Sequence, residues 1–156
     1  MIKIHIVAVG DIKEKYLREA IAEYSKRISR YAKLNIVELK ENNPASESEK
    51  DILQSLKKDA NSIFPHLKGY VICLDLNAPQ FTSTEFAKKI DNLSLKTGEI
   101  TFVIGASNGI AEEIKAQANE KVSFSKMTFP HQLMRVIFLE QLYRAFTILN
   151  NVSYHK

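Results

Sequence analysis

Apolar and polar positions along this chain change period in a way that marks out alternating strands and helices. Ile2, Ile4 and Ile6 fall on one side of a stretch that carries Lys3 and His5 on the other, and Val7-Ala8-Val9 continues it to Gly10. A period of two predicts a strand over 2–9. Tyr16, Leu17, Ala20, Ile21, Tyr24 and Ile28 then recur at helical spacing and predict a helix over 13–29. Alternation returns at Leu34–Leu39, a second strand. Glu41–Ser48 is the most polar stretch, contains Pro44, and reads as a loop. Ser46 and Glu49 fit a capping box that opens a helix to about Phe64, where Pro65 stops it.

The second half is more apolar. Gly69–Leu76 is nearly continuous in apolar residues, as a strand buried on both faces would be. Thr82 and Glu85 form another capping box before a helix with Phe86, Ala87, Ile90 and Leu93, and Gly98 offers a C-terminal stop. Ile100–Ile104 is a further buried strand, Ala111–Asn119 a short helix, and Val122–Phe124 a short strand. Pro130 suits the start of a final helix to about Asn150. Strands alternating with helices imply parallel pairing through crossovers, so the class is α/β.

The final helix has almost no polar face. Leu133, Val136, Ile137, Leu139, Phe146 and Leu149 point in every direction around it, so it should be buried all round. A terminal helix packs one face on its own sheet, and the other then needs a cover. A second copy of the chain is the simplest one, which predicts a homodimer through this helix.

A length of 156 residues predicts one domain spanning the chain. No apolar run approaches the ~20 residues of a membrane span. The short apolar N-terminal run, followed at once by charge, does not resemble a signal peptide, and the expected compartment is the cytoplasm. The single cysteine, Cys73, excludes an internal disulfide and a multi-cysteine zinc site; mid-strand, it reads as inert core. The four histidines have no metal-binding spacing, so no metal is expected. The net charge is +4, and the segment from Lys121 onward, with five Lys or Arg against one acid, holds all of that excess. A phosphate-bearing partner is plausible there if other signals coincide.

In open parallel sheets ligands bind at the carboxyl ends of strands. Three such ends stand out: Leu74-Asp75-Leu76, Gly105-Ala106-Ser107-Asn108-Gly109, and Phe124-Ser125-Lys126-Met127-Thr128-Phe129. The glycine spacing fits neither a Walker loop nor a dinucleotide fingerprint. The Phe124–Phe129 run could present backbone groups to a flat heterocycle between apolar side chains, or its two phenylalanines could be core anchors. The tail Ser153-Tyr154-His155-Lys156 combines a stacking face, a titratable imidazole and a cation.

Taken in order, Phe102–Gly109, Ser123–Arg135, Glu140–Ala145 and Tyr154-His155-Lys156 resemble the ribosomal RNA large subunit methyltransferase H family, of the SPOUT class. The resemblance covers essentially the whole chain. It implies a mostly parallel sheet flanked by helices with a C-terminal trefoil knot, and a homodimer. It further implies S-adenosyl-L-methionine as cofactor, held by Leu74, Gly105 and Phe124, Ser125, Lys126, Met127, Thr128 and Phe129. The implied reaction is methylation of N3 of pseudouridine 1915 in 23S rRNA on the assembled ribosome. Catalytic roles then fall to His155, Tyr154 and Arg135, and RNA contacts to Lys156, Arg144 and His131. The family commonly has glycine where Ala106 and Ala78 stand here. Alanine costs ~1 kcal/mol or more there only if φ is positive. Two alternatives are a SPOUT methyltransferase with another RNA target and a ribosome-binding module without catalysis.

Overall fold

The computed structural model describes residues 1–156. Its strands are β1 (Lys3–Val9), β2 (Lys33–Leu39), β3 (Tyr70–Leu74), β4 (Glu99–Ile104) and β5 (Glu120–Val122). They form one sheet in the order β2-β1-β4-β3-β5, and every pairing is parallel. The helices are α1 (Lys15–Ile28), α2 (Glu49–Ile63), α3 (Ser83–Lys96), α4 (Glu112–Gln117) and α5 (His131–Leu149).

Alternation along the strands divides the core between the two faces of the sheet. Ile4, Ile6, Ile72, Ile100 and Phe102 point to one face, where α1, α3 and α5 cover them through Ile28, Phe86, Ile90 and Phe138. Val7, Val9, Val71, Cys73 and Val103 point to the other, beneath Ala60 and Ile63 of α2 and Ile114 of α4. The α/β class thus follows from period-two and period-3.6 patterns that agree on the same core. Cys73 is fully buried, and desolvation pushes its thiol up to about 11, so it is inert core as its position suggested.

Three local expectations are corrected. The N-cap of α2 is Ser48, which accepts from the Asp51 N–H; Ser46 instead hydrogen-bonds Ser48 and Asp51 from outside the helix. Either serine fits the sequence rule, and the one whose backbone turns extended takes the cap. α2 does end ahead of Pro65, at Ile63, and Pro65 itself lies in a 3₁₀ turn, Phe64–His66, that follows. Gly98 does not close α3 in a left-handed turn; Thr97 leaves the helix extended, and a positive φ occurs instead at Gly69 (φ +63), packed against the Glu99 backbone. The last strand is Glu120–Val122, earlier than Val122–Phe124, because its register partners Ile72–Leu74 end there. Phe124 turns inward instead, against Phe86 and Phe138. The capping box of Thr82 and Glu85 is present in both directions.

The order of strands decides what meets what. β4, β3 and β5 are consecutive neighbours, so the three loops leaving their carboxyl ends emerge side by side.

Candidate methyl-donor site

Those three loops enclose a cavity of about 620 Å³, within the range of small-molecule sites. Its wall includes Leu74 and Asp75 after β3, Gly105 to Gly109 after β4, and Ser123 to Ser125 with Met127 to Phe129 after β5. His131 and Met134 from the first turn of α5 complete it. Each sequence-expected cofactor residue except Lys126 is on the wall; Lys126 is exposed within the same run and does not line the cavity.

Hydrogen bonds stitch the loops together. Asp75 N–H donates to Val122 O at 3.0 Å, and Ser123 N–H to Pro79 O at 2.9 Å. Ser123 Oγ donates to Ser125 O, and Ser125 Oγ accepts from Met127 N–H at 2.9 Å, curling the run on itself. Among the backbone N–H groups from Phe124 to Phe129, the chain itself takes up only that of Met127. The loop after β4 closes by Gly109 N–H donating to Ala106 O, with Gly109 at φ +83. A Cβ at Gly105 would lie 2.6 Å from the Gly109 carbonyl carbon and 2.9 Å from Ile110 Cγ1, so this turn admits only glycine without shifting. Ala106 and Ala78 both have negative φ, which removes the strain that alanine would otherwise bring.

One charged pair on the wall was not expected from sequence. Lys115 Nζ of α4 lies 3.3 Å from Asp75 Oδ2, both mostly buried. Desolvation pushes Asp75 up, but the Asn77 N–H and Lys115 outweigh it and hold the carboxyl below its ordinary range. Asp75 carried the signal of a strand end; Lys115, the one cation among four polar residues of a six-residue helix, carried none.

Arg135 is corrected most. It does not line the cavity; its side chain is 4% exposed and points to the carboxyl end of β1. Nη2 donates to Val9 O at 2.9 Å and also to Gly10 O, and Nη1 is 3.4 Å from Glu38 Oε2. Burial lowers its pKa while Glu38 and Asp11 oppose the shift. Nearby, Gln132 Oε1 accepts from Lys13 N–H at 3.1 Å. Together they clamp the start of α5, and with it the Phe124–Phe129 run, to the end of β1. A phosphate has no access to this guanidinium.

The tail is ordered against α5 and away from its own cavity. Asn151 takes φ +54, and Val152 N–H donates to Thr147 O, turning the chain back. Tyr154 Oη donates to Glu140 Oε1 at 3.0 Å, and its ring meets Tyr143 edge-on. Desolvation and the Glu140 carboxylate push the Tyr154 hydroxyl up to about 12, so it stays protonated at neutral pH. Arg144 Nε donates to Glu140, and Nη1 lies 3.1 Å from His155 Nδ1. A guanidinium can only donate, so the lone pair of a neutral His155 ring is on Nδ1 and its proton on Nε2. Arg144 is ten residues beyond Met134, roughly 15 Å along the helix. Of the expected catalytic and RNA-contact residues only His131 reaches the cavity of its own chain.

Comparison with known proteins gives this geometry its class. A family model described as a predicted SPOUT methyltransferase matches residues 2–155. The ribosomal RNA large subunit methyltransferase H of Clostridium novyi is 55% identical over 98% of this chain and 99% of its own length. That of Caldicellulosiruptor saccharolyticus is 47% identical over the same shares. The chain belongs to the ribosomal RNA large subunit methyltransferase H family. It is therefore a SPOUT-class methyltransferase. A probable methylase family protein from Haemophilus influenzae shares the fold at a TM-score of 0.56 and 17% identity, covering 100% of this chain and 72% of that one. No helix here is long and apolar enough to cross a membrane.

Proposed function

We propose that this SPOUT methyltransferase transfers a methyl group from S-adenosyl-L-methionine to N3 of pseudouridine 1915 in 23S rRNA, on the assembled ribosome in the cytoplasm. It does so as one domain that works in pairs. The observation that carries the reading is the convergence of the β3, β4 and β5 loops on one cavity in a chain about half identical, end to end, to ribosomal RNA methyltransferases.

The cavity fits the donor by its chemistry. Leu74, Phe124 and Phe129 offer apolar walls to an adenine, and N–H groups left unpaired in the Phe124–Phe129 run offer it hydrogen bonds. When bound, S-adenosyl-L-methionine supplies a methyl on a cationic sulfur, already electrophilic. The work left to the chain is alignment of the base nitrogen and removal of its proton.

Those tasks fall to the tail, which requires a second copy because a chain does not bring its tail to its own cavity. The exposed side of α5 supports this. Leu133 is 37% exposed, and Val136, Ile137 and Ile148 are only partly covered, so the all-round burial expected of this helix is unmet in the single chain. Pairing of two α5 helices buries that side and carries each tail to its neighbour. There His155 accepts the N3 proton through Nδ1 once Arg144 releases it. Tyr154, held protonated, stacks on the base or donates to it, and Arg144 and Lys156 face the phosphates. His131 approaches the RNA from the cavity rim. Arg135 positions α5 and does not touch the substrate. The trefoil knot implied by the family belongs to this reading as the device that fixes the loops.

Incubating the protein with ribosomes that lack the mark, then measuring nucleoside masses after digestion, tests the function. The expected product is a singly methylated pseudouridine that forms only with S-adenosyl-L-methionine. A short protein-free stem-loop should be a much poorer substrate, since a net charge of +4 gives weak, salt-sensitive RNA affinity. Methylation of another nucleotide would favour the reading of a changed target, and a mark absent despite ribosome binding would favour the non-catalytic one.

A further inference from the structure

α1 ends in a basic turn, Lys26 and Arg27, with Arg30 exposed just beyond it. Arg27 is the unusual member. Its guanidinium lies over two tyrosine rings at once, Tyr24 of its own helix at 5.4 Å and Tyr143 of α5 at 5.6 Å. Those rings are 6.3 Å apart, Tyr143 in turn meets Tyr154 at 4.9 Å, and Arg144 covers Tyr154 at 4.8 Å. The result is one continuous surface of three tyrosines and two arginines that runs from α1 across α5 to the tail.

The surface is open at Arg27, and that cation is underused. Arg27 is 41% exposed, and only Nε is engaged, on Glu23 at 3.0 Å; no hydrogen bond of the chain uses its two terminal nitrogens. A guanidinium already held flat by aromatic rings loses little freedom when a phosphate takes its fork of donors. Tyrosine faces beside such a fork are the features that unpaired nucleotides stack on. Ile28 and Phe146 are buried in the core between α1 and α5, and Tyr24 and Tyr143 pack against that core while staying only partly buried.

We propose that this arginine–tyrosine surface is a second RNA contact, with Arg27 gripping a backbone phosphate and Tyr24 supporting it, in the strand that flanks the methylated nucleotide. The inference rests on the reading above and extends it. The target base enters one protomer's cavity beneath its neighbour's tail, and the flanking strand continues from that tail onto the neighbour's α1.

The test compares wild-type protein with Arg27→Ala and Arg27→Lys in steady-state methylation of ribosomes, in donor-free co-sedimentation with ribosomes, and in hydroxyl-radical footprinting of the rRNA. Arg27→Ala is expected to raise the KM for ribosomes about tenfold, weaken co-sedimentation equally, and erase protection of nucleotides beside the target. Turnover at saturating ribosomes and donor affinity by calorimetry should move less than about twofold. Arg27→Lys should recover only part of the loss, because it restores charge without the planar fork. Its salt dependence should otherwise match wild type, whereas that of Arg27→Ala flattens by about one phosphate contact. A wild-type KM and footprint for Arg27→Ala would overturn the proposal while leaving the methyltransferase reading intact. A raised KM with an unchanged footprint would also overturn it, since the partner would then be a ribosomal protein. If wild-type protein bound ribosomes not at all, both readings would fall.

Discussion

Removal of Tyr154–Lys156 is expected to lower ribosome methylation by at least about a hundredfold, the lower range for losing a positioned acid–base group. The dissociation constant for S-adenosyl-L-methionine should change by less than about twofold. The division follows from position. The tail makes its contacts on Glu140, Tyr143 and Arg144, and none of its residues lines the cavity of its own chain. Folding should survive the cut, because α5 ends at Leu149 and the turn after it is closed by Val152 on Thr147, both retained. Full activity after truncation would end the proposed role of the tail. Loss of donor binding together with activity would mean that the tail belongs to the cavity itself.

Gly105→Ala should do the reverse. Its new methyl would press on the Gly109 carbonyl carbon and Ile110 from 2.6 and 2.9 Å, and the first of these is backbone. The turn must open, which breaks the Ala106–Gly109 closure and moves one wall of the cavity. Overpacking of this kind costs about 1–3 kcal/mol. Where the strain is relieved by moving the loop, it appears as lost donor affinity, at least about tenfold, or ~1.4 kcal/mol. Calorimetry with S-adenosyl-L-methionine reads this directly, and a thermal melt separates it from general unfolding. Unchanged affinity would place the donor away from this loop.

Much of this was legible in the chain. The α/β class followed from the alternation of Ile2, Ile4 and Ile6 and the helical recurrence of Leu17, Ile21 and Ile28, since periodicity is a property of the sequence itself. The three strand ends were legible too, because glycine and polar residues interrupt apolar runs there. Their meeting in one cavity was not, since it depends on β3 lying between β4 and β5, an order set by long-range pairing. Arg135 shows the other limit. A cation near the start of a basic helix looks available to a phosphate, and only the approach of Val9 and Gly10, more than a hundred residues earlier, shows it to be internal. Lys115 became visible only through Asp75, for the same reason. Ala106 and Ala78 were ambiguous until φ was known, because the residue type limits backbone angles without choosing among them.

The account stands on a donor cavity completed by the neighbouring subunit's tail, and subunit mixing tests this most directly. The tail-truncated protein and the Gly105→Ala protein are each expected to be nearly inactive alone at low donor concentration. After the two are exchanged in equal amounts, half of the dimers are mixed, and each mixed dimer joins one intact cavity to one intact tail. Methylation should then return to about a quarter of the wild-type rate. If the mixture, with exchange verified by mass spectrometry, stays as inactive as its components, cavity and tail act within a single chain and the account is wrong.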